Sequence, residues 1–66
     1  MRLEEKLKFL RLALKLGAEV KTRYRNRRVV SIEKASERYI LIRYEDGGVD
    51  KLYIADFGRR RFVVTL

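Results

Sequence analysis

The amino-terminal region carries leucines at a spacing that predicts an amphipathic helix. Four of them recur at intervals of four, three and four residues: Leu3, Leu7, Leu10 and Leu14. Because an α-helix turns by about 100° per residue, this spacing places the four side chains on one face. We predict a helix over residues 2–16 that packs this leucine face on the rest of the fold. Gly17 is suited to the left-handed conformation that ends a helix.

A second apolar set lies on nearly the opposite side of the predicted helix. Its members are Phe9, Leu12 and Leu16. A helix with two apolar faces must bury both of them, and the leucine face already serves the chain's own core. We therefore expect Phe9, Leu12 and Leu16 to form an interface, either with a second copy of the chain in a homo-oligomer or with a hydrophobic partner protein.

After Gly17 the apolar pattern changes to the two-residue alternation of strands. This alternation predicts about five strands, at residues 18–25, 28–35, 38–44, 49–54 and 61–66. Strands of this length joined by short polar turns pair most simply with their sequence neighbours, in an antiparallel arrangement.

The alternation also predicts which side chains face the core. In the first strand the residues expected to face inward alternate with charged residues, and they are Ala18, Val20, Thr22 and Tyr24. In the second strand Val30 and Ile32 are expected to point inward. The third strand is apolar on both faces, which is typical of a central strand. Tyr44 and Tyr53 are expected in the core or in cross-strand packing.

Short polar segments separate the predicted strands. Residues 26–27 are an expected turn, and the clearest turn is at Asp46 and Gly47, because an Asp-Gly pair readily adopts positive φ angles. Asp46 and Asp50 are interpreted as turn residues rather than as calcium ligands, since the ligand number of a calcium loop is missing. Residues 55–58 are expected to form a tight turn or a single turn of 3₁₀-helix.

These elements predict a single α+β domain over residues 1–66. A helix followed by five short strands would leave two exposed sheet edges if the sheet stayed flat. We therefore predict a small SH3-like or Sm-like barrel with the helix covering one open end. The alternative is an open, twisted five-stranded antiparallel meander with the helix packed across it.

The residue types present argue against most catalytic and metal chemistry. The chain has no His and no Cys, so a catalytic triad, a structural zinc site and a disulfide cannot be assembled. We predict a protein that is not an enzyme and that has no cofactor and no metal. The enzymatic alternative is a metal-free ribonuclease of the kind found in small ribosome-dependent toxins, which would use Arg, Lys, Tyr and Glu side chains.

The composition also bears on source and location. Charged residues make up 39% of the chain, with one Asn, no Gln and one Met. This profile is typical of thermophile proteins, and a designed protein is the alternative. The longest apolar runs span four residues, so neither a membrane span nor an export signal is indicated, and we expect a soluble cytoplasmic protein without membrane contact.

The net charge of +8 is concentrated in the predicted helix, the first strand region and the carboxyl-terminal segment, and two groups of cations lie in the last two of these. The first group is Lys21, Arg23, Arg25, Arg27 and Arg28, and the second is Arg59, Arg60 and Arg61. On a strand, Lys21, Arg23 and Arg25 would share one face at intervals of about 7 Å, near the phosphate spacing of a nucleic-acid strand. We predict a phosphate-contacting surface for DNA or RNA, with Tyr24 as the best candidate for a binding role. The alternative is a solvated strand edge whose like charges discourage pairing with another strand.

Three segments of the chain, residues 10–26, 38–41 and 49–57, carry a resemblance to a known family. They resemble WYL domains, which are Sm-like modules of prokaryotic regulators. Residues 10–26, LRLALKLGAEVKTRYRN, are similar to the family's helix and first strand, which ends in Tyr-Arg, here Tyr24 and Arg25. Residues 38–41, RYIL, stand where the family has its Trp-Tyr-Leu strand, with Tyr39 in the Tyr position.

A third segment resembles the same family. Residues 49–57, VDKLYIADF, are similar to its closing strand, although Phe57 replaces the Arg that usually follows the Asp and the chain has no Trp. The resemblance implies an Sm-like barrel with a ligand- or nucleic-acid-sensing surface built around Tyr24, Arg25 and Tyr39.

Overall fold

The computed structural model describes residues 2–66, which form two helices and five strands. In chain order the elements are α1 (Leu3–Lys15), β1 (Glu19–Thr22), β2 (Val29–Lys34), β3 (Tyr39–Tyr44), β4 (Val49–Tyr53), α2 (Ile54–Arg59) and β5 (Phe62–Thr65). The α+β class with a leading helix and five antiparallel strands is confirmed.

The strands lie in two sheets and do not close into a barrel among the described residues. β1 pairs with β5, while β2, β3 and β4 form a second sheet with β3 at its centre. An isolated bridge between Lys21 and Arg28 links the two sheets. The predicted SH3-like or Sm-like barrel is therefore wrong, and the open antiparallel meander fits better. The two sheets stay separate because only this single bridge joins β1 to β2 in the described part of the chain, and α2, which follows β4 directly, leads β5 to pair with β1.

Helix α1 packs on β1 and β2 through its leucine face, as predicted. Leu10 and Ala13 are buried, and three further leucines pack against the core: Leu3, Leu7 and Leu14. The helix ends where the sequence indicates, since Gly17 adopts a φ of 83°. This left-handed conformation allows the Ala18 amide to donate to the Ala13 carbonyl oxygen at 2.9 Å, which closes the helix end.

The core between α1 and the sheets includes a residue outside the predicted strands. Five of its side chains are almost completely buried: Phe57, Ile40, Ile42, Val20 and Val29. Phe57 belongs to α2, a six-residue α-helix at the place where the sequence predicts a tight turn or a single turn of 3₁₀-helix over residues 55–58. The six-residue helix is stabilised because it turns Phe57 into the core. There the centroid of the Phe57 ring lies 5.8 Å from that of the Phe62 ring.

A β-bulge corrects the predicted orientation of β2. Val29 pairs with Tyr44 and Ser31 with Arg43, so two residues of β2 occupy one step of β3. The extra residue shifts the alternation, and as a result Val29 and Ile32 are both buried. The prediction that Val30 points inward is wrong, because Val30 is the residue that the bulge turns to the exposed face.

The first strand is shorter than its residue pattern suggests. β1 ends at Thr22, whereas the alternation predicts a strand to residue 25. Residues 23–25 form a turn, and Asn26 follows with a φ of 54°. Such a left-handed residue breaks an extended strand. The inward-facing residues predicted from Ala18 to Tyr24 therefore end at Thr22, and Tyr24 is turned outward.

Within residues 2–66, neither helix combines the length and the apolar composition that crossing a membrane requires.

Candidate nucleic-acid interface

Two cation-rich segments that are distant in sequence meet beside the end of β1. The backbone amide of Arg23 donates to the carbonyl oxygen of Arg61 at 3.0 Å, so the turn over residues 23–25 lies against the connection that follows α2. This contact assembles one surface, which we name the arginine cluster. Its members are Arg23, Tyr24, Arg25, Arg59, Arg60 and Arg61.

Tyr24 is the aromatic member of the arginine cluster, and its side chain is 72% exposed. The guanidinium carbons of Arg25 and Arg60 lie 5.5 and 5.7 Å from its ring centroid. These distances are at the outer limit of a cation–π contact. By comparison, Arg27 lies 3.9 Å from the ring of Tyr44 and covers it closely. Two guanidinium groups therefore lie over the ring of Tyr24 without covering it closely, and most of the residue remains exposed to solvent.

Two shallow depressions adjoin Tyr24. The first has a volume of about 440 Å³ and is lined by Arg23, Tyr24, Asp56, Arg59, Arg60 and Arg61. The second has a volume of about 370 Å³ and is lined by Tyr24, Arg25, Asp50 and Arg60. Because both depressions share Tyr24 and Arg60, these two side chains form the boundary between them.

The arginine cluster carries an excess of positive charge. Within residues 2–66, none of its five guanidinium groups lies within ion-pair distance of a carboxylate. Two carboxyl groups line the depressions, those of Asp50 and Asp56. Asp50 accepts a hydrogen bond from the hydroxyl of Tyr44 and keeps its negative charge, so the two carboxylates offset two of the five positive charges and leave an excess of three. Five cations held close together repel one another, and an anion bound between them would relieve that repulsion.

The remaining cations of the predicted surface lie in ion pairs. Lys21 pairs with Glu19 at 3.1 Å. Arg27 pairs with Asp46 at 3.1 Å, and Arg28 pairs with Glu45 at 3.4 Å. The structure therefore divides the predicted set: Lys21, Arg27 and Arg28 have counter-charges and stand apart from the cluster.

The predicted stripe of cations along one strand face is wrong. Only Lys21 of its three members lies in β1, because the strand ends at Thr22 and Arg23 and Arg25 belong to the turn. The even spacing of about 7 Å requires an extended strand through residue 25. Arg23 and Arg25 are brought to Arg59–Arg61 by the turn instead of being aligned by a strand.

Lys6 anchors the second segment of the arginine cluster, although the sequence pattern gave it no role. Its ammonium group donates to the carbonyl oxygens of Phe57 at 2.7 Å, Gly58 at 3.3 Å and Arg60 at 2.5 Å. It also lies 5.0 Å from the ring centroid of Phe57. Partial burial lowers the pKa of Lys6 from its ordinary value. The sequence feature that could have indicated this role of Lys6 is its position three residues after Leu3 and four before Leu10, which places a cation at the border of the leucine face.

Tyr44 and Tyr53 occupy the packing positions predicted for them. Tyr44 is buried, and burial together with its hydrogen bond to Asp50 raises its pKa from 10.0 to about 12. Tyr53 stands across from Tyr39 in the sheet, with ring centroids 4.8 Å apart. The hydrogen bond between the two tyrosine hydroxyl groups raises the pKa of Tyr53. These tyrosines are therefore engaged in packing, which leaves Tyr24 as the tyrosine of the candidate site.

The two aspartates interpreted as turn residues have different roles. Asp46 lies in the turn, where one carboxylate oxygen accepts from the Gly48 amide at 2.8 Å, and this bond together with Arg27 holds its pKa below the ordinary value. Asp50 is a strand residue of β4, so its assignment to the turn is wrong. Among residues 2–66, no group of three or more His, Cys, Asp or Glu side chains is arranged to hold a metal ion.

The outer face of α1 is exposed in the isolated chain. Phe9, Leu12 and Leu16 are 50%, 54% and 70% exposed. The arrangement leaves the second apolar set without cover from the described part of its own fold, as its position on the helix predicts.

Comparisons with protein-family models, with curated protein sequences and with solved structures find no match to this chain.

Proposed function

We propose that the chain binds nucleic acid, with the arginine cluster contacting phosphate groups. The supporting observation is that five guanidinium groups from two segments lie around one exposed tyrosine, without an ion pair among the described residues. Guanidinium presents a planar fork of donors that matches phosphate oxygens, and it loses less hydration than an ammonium group on contact. A phosphate backbone supplies the closely spaced negative charges that such a surface lacks.

The hydrogen bond from the backbone amide of Arg23 to the backbone carbonyl of Arg61 makes the proposed surface rigid. A binding surface held in place before the ligand arrives loses less conformational entropy on binding than a flexible tail of arginines. Lys6 contributes in the same way, since it ties the Arg60 carbonyl to α1. The proposed surface therefore differs from a disordered basic segment, although both would show salt-dependent binding.

The resemblance to WYL domains stays a prediction. Of the three residues that it implies for a ligand surface, Tyr24 and Arg25 belong to the arginine cluster, whereas Tyr39 packs against Tyr53. The Sm-like barrel that it also implies is not the arrangement of the strands.

The proposal is tested by fluorescence anisotropy with labelled DNA and RNA over a series of salt concentrations. The variant is the triple substitution Arg23→Gln, Arg59→Gln and Arg61→Gln. Its control removes the same charge from three exposed cations on α1 that line neither depression, through Lys8→Gln, Arg11→Gln and Lys15→Gln. Both variants have the same net charge, so a difference between them reports on position.

The expected result is weaker binding and a shallower salt dependence in the cluster variant. Each phosphate contact to a single strand contributes about 0.7 to the slope of log affinity against log salt, so the loss of three contacts lowers the slope by about 2. The α1 control should change the slope far less. Equal losses in the two variants would show that only net charge matters and would contradict the proposal. The same samples on a denaturing gel test the ribonuclease alternative, for which cleaved RNA is required.

A second candidate function is self-association through the exposed outer face of α1. The observation that favours it is the exposure of three large apolar side chains on one helix face, Phe9, Leu12 and Leu16. Sedimentation velocity over a range of concentrations tests this candidate. It requires a dimer that dissociates on Leu12→Lys, and a monomer at millimolar concentration would remove it.

A further inference from the structure

We infer that the arginine cluster selects unpaired nucleic acid, with the ring of Tyr24 stacking on a base. This inference rests on the proposed function and adds the class of ligand. It starts from the accessible ring of Tyr24, which is 72% exposed in the centre of a cationic surface. An exposed aromatic ring costs solvation free energy unless it meets a partner, and a nucleobase offers a flat apolar surface of similar size.

The cations beside Tyr24 are placed to hold a nucleotide at the ring. Arg25 and Arg60 lie over the ring at 5.5 and 5.7 Å from its centroid, near the outer limit of a cation–π contact, so a base that stacks on a ring face takes the place of one of these loosely held guanidinium groups. A nucleotide whose base stacks there keeps its phosphate within reach of the guanidinium groups. Stacking and phosphate contact therefore act on the same nucleotide, and neither needs a particular base, since every base has a π-face.

The two depressions indicate how the strand passes over the surface. Tyr24 and Arg60 form their shared boundary, so consecutive nucleotides can lie on the two sides of the tyrosine. The depressions hold about 440 and 370 Å³ and are open to solvent, which suits a strand that enters on one side and leaves on the other. The core of the site thus takes two successive nucleotides, with flanking phosphates on Arg23 and Arg59.

A duplex does not offer the same contacts. Its bases are stacked on one another, so their faces reach an aromatic side chain only after the pairs open. The arginine cluster is also formed by a turn and a connection, whereas the major groove admits a helix or a two-stranded ribbon. A duplex can therefore contact the cluster through phosphates alone, without the contribution of Tyr24.

The first experiment compares Tyr24→Ala, Tyr24→Phe and the unaltered chain. Anisotropy is measured with an oligothymidylate of about ten nucleotides and with a duplex of the same length. Loss of one stacked base corresponds to a loss of about tenfold or more in affinity, so Tyr24→Ala should weaken single-strand binding by that factor and leave duplex binding unchanged. Tyr24→Phe keeps the ring and should retain affinity. Tyr53→Ala, which removes an exposed ring outside the cluster, is the control.

The second experiment detects stacking directly. The chain has no Trp, so Tyr24→Trp introduces a single fluorescent reporter, and Tyr53→Trp provides the matched control. Oligothymidylate should quench the fluorescence at position 24 and not at position 53. An oligomer with the same phosphodiester backbone but no bases should bind without quenching at position 24.

The results separate the two proposals. If Tyr24→Ala leaves single-strand affinity unchanged, or weakens duplex binding equally, the stacking inference is overturned, while loss of binding in the arginine triple variant would still support phosphate contact. If the arginine triple variant binds as its α1 control does, the proposed function itself is overturned. Quenching by the baseless oligomer would likewise contradict stacking.

Discussion

Replacing Lys6 with methionine tests whether this lysine holds the α2 segment in place. Methionine keeps the length of the apolar stem beside Phe57, but it removes the charge and all three donors. The carbonyl oxygens of Phe57 and Gly58 lie at the carboxyl end of α2, where a helix leaves acceptors without intrahelical partners. In Lys6→Met the Phe57 carbonyl oxygen keeps only its hydrogen bond from the Arg60 amide, at 3.2 Å, while the carbonyl oxygens of Gly58 and Arg60 must be satisfied by water or remain unpaired.

The size of the expected effect follows from the contacts. A hydrogen bond to a charged group contributes about 1.5–3 kcal/mol, and a cation at a helix carboxyl end contributes about 0.3–1 kcal/mol. The three bonds share one ammonium group and replace its hydration, so they do not add, and we expect a loss of about 2 kcal/mol in the free energy of unfolding. A domain of this length has about 3–10 kcal/mol in total, so the loss would be large.

The assay is urea denaturation followed by circular dichroism. Lys8→Met is the matched control, because Lys8 is an exposed lysine of the same helix and is without an ion pair among residues 2–66. An exposed substitution of this kind usually changes stability by less than about 0.5 kcal/mol. If Lys6→Met and Lys8→Met differ by no more than that amount, Lys6 does not anchor α2 and the account of the segment is wrong.

Three further predictions concern the packing around the site. Tyr44 has a pKa of 10.0 ordinarily and about 12 in the fold, so its contribution is complete below pH 10 and is lost as the pH rises through 12. This difference in pKa corresponds to at most about 2.7 kcal/mol of stability, and solvent at the hydroxyl end reduces the expected loss to about 1 kcal/mol. Denaturation of the unaltered chain and of Tyr44→Phe at about pH 9 and pH 12 would measure this loss. Gly47→Ala should cost about 1 kcal/mol in the same assay, because Gly47 has a φ of 88°. Phe57→Ala should cost about 3–5 kcal/mol, enough to unfold much of the protein, and thermal denaturation that shows a small shift would contradict its place in the core.

The elements that the sequence predicts well are those with a sustained apolar period. Helix α1 lies within one residue of its predicted bounds at each end, and β3 is central as its two apolar faces indicate. The errors occur where local pattern and tertiary contact disagree. The alternation continues through residues 23–25, yet the chain turns there because Asn26 takes a positive φ and Arg23 bonds to Arg61. The one-residue bulge in β2 cannot be recognised in the alternation of apolar and polar residues, so the sequence pattern could not predict that Val30 is exposed.

The membership of the candidate site could be predicted in part. The sequence shows the clusters of arginine, and it shows that Tyr24 stands between two arginines. The counter-charges of Arg27 and Arg28 were not predictable, because they come from the hairpin between β3 and β4. Glu45 and Asp46 lie opposite Arg28 and Arg27 only once β2 pairs with β3. Pairing across strands therefore decides which cations remain available for a ligand.

The position of the remaining arginines depends on α2. Six residues in a helix advance the chain by about 9 Å, whereas the same six residues in an extended connection would cover about 20 Å. The shorter path keeps Arg59–Arg61 beside the turn over residues 23–25, where the Arg61 carbonyl accepts from Arg23. The helix is fixed by the burial of Phe57 and by the bonds from Lys6. A loss of Lys6 should therefore weaken nucleic-acid binding as well as stability, since the same contact positions both the core residue and the cations that follow it.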